Sequence, residues 1–556
     1  MKTVASEPSD RRSESKIVAT EPFDDQKPGT SGLRKRVSRF REPNYLENFV
    51  QSLFDRIDVP ENGLLVLGGD GRFHNDRAIQ TIVRMAAANG VSRVMVGRGG
   101  IFSTPAVSHA IRLHGAFGGI ILSASHNPGG PQGDFGIKYN GGNGGPAPEA
   151  VTNAVFARSR QIAEYRITET DDVDLSELGA TRVGAMAVEV VDPVADYAAL
   201  METLFDFDAI RALIAGGFRF RFDAMHAVTG PYARRIFGEM LGVADDQLMN
   251  CEPLPDFGGG HPDPNRVHAR HLFEATHGSG AEVDLACASD GDGDRNLVVG
   301  RDRFVAPSDS LAVLAANLHH CRGYPDGLVG AARSMPTSAA VDRVAQARGV
   351  ECFETPTGWK FFGNLLDAGR INICGEESAG TGSDHVREKD GLWAVLAWLN
   401  VLAARKESVA DILADHWATY GRDYYLRHDY EDVDADAAAK VMEHLRSRLS
   451  DVSGETMEAG QLTRADEFAY DDPIDGSRSE GQGLRFLYED GSRFVFRLSG
   501  TGTVGATIRL YLERYVGPDG ALDLDVDEAL APLARDARTL SRLGELTGRD
   551  EPDVVT

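Results

Sequence analysis

Short apolar runs that end in glycine-rich or polar loops, each followed by a segment with helical periodicity, recur along the first three quarters of the chain. Residues 64–67 form one such run, and the helical spacing i, i+3, i+4, i+7 follows at Ile79, Ile82, Val83 and Ala86. Strands that alternate with helices of this length are typical of parallel α/β units, whose ligands bind at the carboxyl ends of the strands. The sequence therefore predicts an α/β fold with its chemistry in the loops that follow strands.

The chain has 556 residues, which is too long for a single hydrophobic core. Residues 1–22 are polar and lack periodicity, so we predict a disordered extension there. Three similar α/β domains with mixed or parallel sheets are expected over residues 23–200, 201–306 and 307–423. Residues 424–556 are predicted to form an α+β domain, because two strand-like runs there flank Asp490-Gly491, a strong hairpin signal.

The charge and the cysteine pattern exclude several functional classes. A formal net charge of -26 disfavours binding to nucleic acid or anionic membranes, which attach to basic surfaces. No apolar stretch is long enough to span a bilayer, and residues 1–41 lack the apolar core of a secretory signal, so a cytoplasmic location is predicted. The five widely spaced cysteines fit buried thiols better than a disulfide framework or a zinc site.

A serine-containing loop, residues 123–130, follows the apolar run at residues 120–122. Ser125 lies just past the predicted strand end and beside His126, where a serine can act as a nucleophile. The flanking glycines of the hydrolase nucleophile elbow are missing. From this loop alone, an ordinary polar turn remains the alternative.

A second loop, residues 290–295, places carboxylates at three alternate positions, namely Asp290, Asp292 and Asp294. The intervening glycines let the loop curl, so the three side chains can converge on one hard cation. An EF-hand is excluded because its sixth position would be Arg295 and its twelfth Arg301. Arg295 is also placed to contact a phosphoryl oxygen.

Two further loops carry groups that can hydrogen-bond to ligand hydroxyls or bind an anion. Residues 375–389 combine adjacent acids and hydroxyls, which suit a polyhydroxylated ligand, with the cations Arg387 and Lys389; a solvated loop is the alternative. Residues 497–505, with Arg509 downstream, offer hydroxyls, exposed amides and guanidinium groups for an anion. The glycine spacing of this loop matches a dinucleotide fingerprint only formally, because a β-branched run follows it in place of a helix.

Together these loops describe an enzyme that grips a phosphorylated ligand at one end and carries out phosphoryl transfer at the other. The chain resembles the α-D-phosphohexomutase superfamily, and specifically its phosphoglucomutase branch, from about residue 26 to the C-terminus. The motifs that carry the resemblance are residues 27–36, 125–128, 290–295, 355–360, 375–389 and 497–501.

The resemblance implies four domains around a central cleft, each contributing one loop. It implies that Ser125 is phosphorylated and that one Mg²⁺ is bound by Ser125, as the seryl phosphate, together with Asp290, Asp292 and Asp294. The residues implied to bind the sugar are Glu376 and Ser378. The residues implied to bind the phosphate are Arg497, Ser499, Gly500, Thr501 and Arg509. The other residues expected to line the cleft are Thr30, Arg34, Arg295, Thr357, Gly358 and Lys389.

The implied reaction interconverts glucose 1-phosphate and glucose 6-phosphate through glucose 1,6-bisphosphate, so small hexose phosphates are the expected partners of a monomer. The sequence leaves three candidates for the general base: His126, Lys138 and Lys389. Two alternatives also stay open, namely a mutase for mannose or amino-sugar phosphates and a non-catalytic structural paralogue.

Overall fold

The described residues form four sheets of four or more strands, one after another along the sequence. The structure is a computed structural model, which describes residues 15–29, 31–499 and 505–556. The predicted fold class, three α/β domains followed by a C-terminal α+β domain, is confirmed.

The first domain has a seven-stranded sheet of order β2-β6-β5-β3-β4-β9-β8, in which β5, β3, β4 and β9 run parallel. Its strands are β1 (Ser15–Ala19), β2 (Leu33–Arg36), β3 (Leu64–Gly69), β4 (Arg93–Ile101), β5 (Gly118–Leu122), β6 (Asp134–Gly141), β7 (Glu164–Thr168), β8 (Gly179–Val183) and β9 (Met186–Val191). Its helices are α1 (Val37–Phe40), α2 (Tyr45–Phe54), α3 (Asn75–Ala88), α4 (Thr104–His114) and α5 (Glu149–Ser159).

The predicted disordered extension over residues 1–22 is corrected in part. Strand β1 pairs antiparallel with β7 through all five of its residues, so backbone hydrogen bonding orders residues 15–19. The polar composition of this segment hid the strand, because β1 is largely exposed and has no buried face to impose an apolar alternation. Residues 1–14 lie outside the described part of the chain.

The second domain has a five-stranded sheet of order β11-β10-β12-β13-β14, with β10 parallel to β11 and β12. Its strands are β10 (Phe220–Asp223), β11 (Leu248–Met249), β12 (Leu285–Ser289), β13 (Asn296–Gly300) and β14 (Arg303–Phe304). Its helices are α6 (Ala195–Leu204), α7 (Phe207–Ala215), α8 (Thr229–Ala233), which continues into a π-helical turn over Arg234–Met240, and α9 (Arg270–Thr276).

The third domain has a four-stranded sheet of order β16-β15-β17-β18, with β15 parallel to both β16 and β17. Its strands are β15 (Gly330–Ser334), β16 (Glu351–Thr355), β17 (Ile373–Glu376) and β18 (Gly380–Ser383). Its helices are α10 (Pro307–Asn317), α11 (Ala340–Arg348), α12 (Trp359–Asp367), α13 (Gly391–Arg405) and α14 (Val409–Tyr420).

The fourth domain has a six-stranded antiparallel sheet of order β20-β23-β24-β25-β19-β26. Its strands are β19 (Arg422–Val433), β20 (Leu462–Glu467), β21 (Tyr470–Asp471), β22 (Arg478–Ser479), β23 (Leu484–Tyr488), β24 (Arg493–Ser499), β25 (Ala506–Val516) and β26 (Val554–Val555). Its helices are α15 (Ala435–Arg448), α16 (Val526–Ser541) and α17 (Leu543–Thr547). The predicted boundaries at 200/201 and 423/424 fall inside α6 and β19.

The first three domains share a hydrophobic core, and the fourth domain has a separate one. One apolar cluster runs through the first three domains, from Leu64 to Trp417, whereas the fourth domain has its own cluster, from Tyr424 to Leu543. All five cysteines are unpaired, as predicted; four are buried and Cys352 is half-buried. Across the described residues, none of the helices combines the length and the apolarity that crossing a bilayer requires.

Candidate active site

Ser125 lies in the loop after β5, and its hydroxyl meets the carboxylate loop of the second domain. The side chain is buried, and its Oγ donates a 2.8 Å hydrogen bond to Oδ2 of Asp290. Its backbone adopts φ +52°, a left-handed conformation that is unusual for a residue with a Cβ. Strained backbone of this kind persists only where the surroundings hold it, and it clusters at functional sites. Nδ1 of His126 lies 3.4 Å from the same Oγ.

A buried ion pair holds the serine loop in this conformation. Asp70 and Arg72 follow β3 and form a 2.9 Å pair with fully buried side chains. Arg72 donates to the carbonyl oxygen of Ser125 (2.7 Å), and Asp70 accepts from Oγ of Ser123 (2.7 Å). Oγ of Ser123 in turn accepts from the backbone N–H of Ser125. Sequence reasoning missed this support; the signal was a polar Asp-Gly-Arg step at the end of the first parallel strand.

The predicted carboxylate loop is compact. Asp290, Asp292 and Asp294 are all buried, and one ligand oxygen from each lies within 4.8 Å of those of the other two. Oδ1 of Asp290 accepts from the backbone N–H groups of Asp294 and Arg295, both at 3.0 Å. Gly293 adopts φ +81°, which lets the loop curl back on itself.

The electrostatics of this loop show unbalanced negative charge. Burial, followed by repulsion from Asp294 and Asp292, raises the pKa of Asp290 well above its usual value. Burial also opposes ionisation of Asp292, but Lys138, Thr104 and Lys389 outweigh it and lower the pKa of that carboxyl. Desolvated carboxylates this close together are unfavourable unless a cation compensates them.

A divalent cation fits these residues. Oδ1 of Asp292 and Oδ1 of Asp294 are buried and have no hydrogen-bond partner in the described chain. Buried polar atoms are normally paired, so these two adjacent carboxylate oxygens are available to bind a cation. Hard oxygen donors suit Mg²⁺, which binds through carboxylates and keeps further positions for phosphate oxygens.

Cations surround the carboxylates from three domains. Nζ of Lys138, on β6, lies 3.2 Å from Oδ2 of Asp292, and Nζ of Lys389 lies 3.2 Å from Oδ2 of Asp294. Nε of Arg34 and Nε of Arg295 are both buried without a hydrogen-bond partner among the described residues. Guanidinium and ammonium groups that can contact an anion therefore lie beside the carboxylates, although the chain as a whole is strongly negative.

The predicted sugar-binding residues Glu376 and Ser378 lie at and just after the end of β17. Glu376 ends β17 and is buried, and its Oε1 accepts from the backbone N–H of Gly358 (2.9 Å). Gly358 has φ +127° and precedes α12. Oγ1 of Thr357 is buried without a partner, and Ser378 is half-buried in the turn between β17 and β18. The loop thus presents a carboxylate and hydroxyls that can read sugar hydroxyl groups.

The predicted phosphate-binding arginines lie side by side on the fourth domain. Arg497 on β24 pairs directly across from Arg509 on β25, so both side chains leave the same face of the sheet. Nε of Arg497 donates to the backbone carbonyl oxygen of Gln482 (3.1 Å). Four predicted positions cannot be placed: Thr30, Gly500 and Thr501 lie outside the described residues, and for Ser499 only the backbone is described.

Two residues beside these arginines were missed by sequence reasoning. Asp429 is buried opposite Arg509 on β19, with its Oδ2 3.8 Å from Nε of Arg509. Its Oδ1 accepts from Nε of Arg427 (2.9 Å), a third arginine on the same face. The alternating pattern of β19 was a usable signal, because Arg427 and Asp429 are two residues apart in a strand.

Models of one protein family match all four domains of the chain. Residues 25–166, 195–303 and 307–420 match the phosphoglucomutase/phosphomannomutase alpha/beta/alpha domains I, II and III. Residues 422–553 match the C-terminal domain of phosphoglucomutase-1. The chain belongs to the phosphoglucomutase/phosphomannomutase family. Family membership covers all four loops described above.

Individual relatives resemble the chain from end to end. The phosphoglucomutase of Rhizobium radiobacter is 58% identical over 542 residues, covering 97% of this chain and all of the relative. A maize protein named phosphoglucomutase, cytoplasmic 1, is 52% identical over 574 residues, covering 97% and 98% of the two chains. Other plant relatives are named chloroplastic.

A solved structure agrees with the fold throughout. The open form of the exocytosis-sensitive phosphoprotein pp63/parafusin, a phosphoglucomutase from Paramecium, superimposes with a TM-score of 0.91 at 48% identity. The match covers 98% of this chain and 99% of the Paramecium chain.

Proposed function

We propose that this chain is a phosphoglucomutase, which interconverts glucose 1-phosphate and glucose 6-phosphate through a phosphoserine at Ser125 and glucose 1,6-bisphosphate. The observation that carries the proposal is the contact between the Ser125 hydroxyl and Asp290 within a buried carboxylate triad. Full-length relatives named phosphoglucomutase support the same substrate class.

The reaction requires one phosphoryl group to leave the serine and another to return. In the first step, the bond between phosphorus and Oγ of phosphoserine 125 breaks and Oγ takes up a proton. A new bond forms from phosphorus to the free hydroxyl oxygen of the hexose monophosphate, whose proton passes to a base. The resulting bisphosphate turns end for end within the cleft. In the second step, Oγ of Ser125 loses its proton and bonds to the other phosphorus, and the bond from that phosphorus to the sugar oxygen breaks. That oxygen takes up a proton, and the isomeric monophosphate leaves.

Asp290, Asp292 and Asp294, together with the seryl phosphate, would hold Mg²⁺. When bound, the cation withdraws negative charge from the phosphoryl oxygens and so favours transfer. Arg295, Arg34, Lys138 and Lys389 add fixed positive charge around the same point, which favours the transferring group without reorganisation of water.

The three base candidates differ in their charge state. Burial opposes protonation of Lys138, but Glu388 and Asp292 outweigh it and raise its pKa, so this lysine stays an ammonium. Lys389 behaves likewise, because Asp294 and Glu376 outweigh burial and raise its pKa. Burial and the nearby Arg295 instead place the pKa of His126 well below its ordinary value. His126 is therefore the one of the three that is neutral, and its Nδ1 lies 3.4 Å from Oγ of Ser125.

The remaining loops hold the sugar and its second phosphate. Glu376 and Ser378 are proposed to bind sugar hydroxyls, with Thr357 and Gly358 beside them. Arg497 and Arg509 are proposed to bind the phosphate that does not react, with Ser499, Gly500 and Thr501 from the same loop and Thr30 near the cleft. Two anion sites are needed because the bisphosphate must be held in both orientations.

The experiment that tests this function measures turnover of glucose 1-phosphate and mannose 1-phosphate by the wild type, Ser125→Ala and Ser123→Ala. We expect the wild type to prefer glucose 1-phosphate and Ser125→Ala to lose turnover by at least about 1,000-fold. Ser123→Ala should lose much less turnover than Ser125→Ala, because it removes a hydrogen bond that supports the serine loop and leaves the nucleophile in place. Retained turnover in Ser125→Ala, or preference for mannose 1-phosphate, would contradict the proposal.

We further propose a cytoplasmic, monomeric protein without nucleic-acid or membrane partners. The net charge of -26 supports the absence of such partners, and the cytoplasmic maize relative supports the location. A fluorescent fusion imaged in its native cell and a molar mass from light scattering would test both points.

A further inference from the structure

Glu354 is one of the carboxylates that join the third and fourth domains. It lies on β16, and its Oε1 accepts from Nη1 of Arg333 (3.0 Å) and Nη1 of Arg493 (3.1 Å). Its Oε2 accepts from Nη1 of Arg485 (2.6 Å). Arg333 belongs to the third domain, whereas Arg485 and Arg493 belong to β23 and β24 of the fourth. One side chain therefore binds three guanidinium groups across a domain boundary.

Each arginine is fixed by a second acid in its own domain. Arg333 makes two 2.7 Å hydrogen bonds to Asp342, and Arg485 pairs with Asp466. Arg493 donates to Oε2 of Glu513 (2.6 Å). The guanidinium planes therefore have defined orientations, and Glu354 is the carboxylate that all three share. Although burial opposes it, the three arginines lower the pKa of Glu354 to about 2, so the joint is charged at neutral pH.

The strands that meet at Glu354 continue into the active site. Arg493 and Arg497 are four residues apart on β24, so both side chains leave the same face of the strand, about 13 Å apart along it. On the other side of the boundary, Glu354 precedes Thr357 and Gly358, and Gly358 binds Glu376. The carboxylate thus connects the strand that carries a phosphate-binding arginine with the loop that orients the sugar-binding acid.

Most described polar contacts of the fourth domain with the rest of the chain are with the third. Arg343 pairs with Asp423, and Ala339 N–H donates to Glu513, both near Glu354. Contact with the second domain among the described ion pairs is limited to Arg303 and Asp523, at 4.0 Å. Among the described residues, apolar contact across this boundary is made by a small cluster around Met335 and Tyr511 and by Leu522, which packs against the core of the first three domains.

We propose that Glu354 is a positioning residue, which sets the distance between the phosphate-binding arginines and the sugar-binding loop. The proposal rests on the proposed function, because it assigns a consequence to that phosphate site. The effect is indirect: Glu354 holds Arg485 and, together with the carbonyl oxygen of Thr337, Arg493. These two arginines fix β23 and β24 relative to β16. A misplacement of about 1 Å in a substrate-holding group is enough to lower catalysis strongly.

A purely structural role is the alternative, and kinetics separate the two. Buried ion pairs are weak evidence for net stability, so loss of folded protein is a reasonable outcome of any change at Glu354. Loss of folded protein lowers the apparent kcat but leaves KM unchanged, since the remaining molecules are intact. A shifted phosphate site raises KM in molecules that are fully folded.

The test compares Glu354→Gln with Glu351→Gln. Glu351 lies on the same strand, is exposed and pairs only with Arg370 inside the third domain, which makes it a matched control. We expect Glu354→Gln to raise KM for glucose 1-phosphate by roughly 10-fold, with a smaller change in kcat. Glu351→Gln should match the wild type. An unchanged KM in folded Glu354→Gln would overturn the proposal.

Two additions keep the result decisive. If Glu354→Gln does not fold, Arg485→Lys is the second variant, because it keeps the positive charge but loses the planar guanidinium group. We expect it to raise KM by a few-fold. An unchanged KM in Arg485→Lys would count against the proposal. Isothermal titration calorimetry with inorganic phosphate measures the affinity of the phosphate site without turnover. The heat that is lost in Arg497→Met is the part that comes from this site. A wild type that binds phosphate but does not isomerise glucose 1-phosphate would refute the proposed function alone. Equal phosphate affinity in the wild type and Glu354→Gln would refute the positioning role alone.

Discussion

The hydroxyl of Ser125 donates to Oδ2 of Asp290 at 2.8 Å, although the two residues are 165 positions apart and belong to different domains. This contact joins the proposed nucleophile to the proposed metal-binding loop without an intermediate residue. The backbone agrees, because a Cβ at Gly291 would lie only 2.3 Å from the carbonyl oxygen of Ser125. The two loops therefore have to be packed together for either to keep its conformation.

Removal of divalent cations should abolish activity and lower stability together. Asp290, Asp292 and Asp294 repel one another when they are buried without a cation. We expect EDTA to reduce kcat by at least about 100-fold, and Mg²⁺ to restore it and to raise the Tm by a few degrees. Activity and differential scanning fluorimetry across a Mg²⁺ titration measure both. In Asp292→Asn the Mg²⁺-dependent rise in Tm should shrink, and an undiminished rise would argue against the site.

The ion pair behind the serine should matter for stability as well as for activity. Replacement of Asp70 by Asn leaves Arg72 buried with an unpaired charge, so we expect the free energy of unfolding to fall by about 3 kcal/mol. Urea denaturation measures this. The exposed pair between Arg235 and Glu239 provides the control, since Glu239→Gln should change the free energy by less than about 0.5 kcal/mol. Similar values for the two variants would contradict the assigned role of Asp70.

A third arginine should contribute to the phosphate site. Arg427 shares Asp429 with Arg509, so its loss removes one positive charge and alters the orientation of a second arginine. We expect Arg427→Met to raise KM for glucose 1-phosphate by roughly 10-fold, with a smaller effect on kcat. Arg464→Met, on an exposed edge strand of the same sheet, should leave KM unchanged. Steady-state kinetics decide the point, and equal KM values in both variants would exclude Arg427.

Stability should depend on pH through Asp309 in α10. Burial raises its pKa to about 6, against the opposing effects of Arg422 and Trp417, whereas its ordinary value is 3.8. The folded state therefore binds more protons than the unfolded state between about pH 4 and 6. The free energy of unfolding should fall as pH rises through that window, by up to about 3 kcal/mol from this residue alone.

The variant Asp309→Asn should lack that contribution, while Asp326→Asn, on the surface, should follow the wild-type curve. Urea denaturation at several pH values from 4 to 7 gives the comparison. If the wild type and Asp309→Asn had parallel curves, Asp309 would not titrate in this range.

Much of the fold was accessible from periodicity. Residues 64–67 and the helical spacing from Ile79 to Ala86 correspond to β3 and α3, because buried parallel strands read as apolar runs and amphipathic helices repeat every 3.6 residues. The hairpin around Asp490-Gly491 was equally plain, since glycine there has φ +87°. Strand β1 was not accessible, because it is exposed and gains its order from pairing with β7.

The site residues divide along a similar line. Loops whose functional residues are close together in the sequence, such as Asp290 to Asp294, could be predicted from the sequence. Residues that act through distant partners were not. Arg72 bonds to Ser125 across 53 positions, and Glu354 bonds to Arg493 across 139, so only the tertiary fold brings them together.

The central claim, that Ser125 alternately holds and releases a phosphoryl group, is tested most directly by mass spectrometry of the intact protein and its peptides. After incubation with glucose 1,6-bisphosphate and Mg²⁺, we predict one phosphate per chain, mapped to Ser125. Excess glucose 6-phosphate should then remove it. A protein that never carries the phosphate, or that carries it on Ser123, would contradict the account.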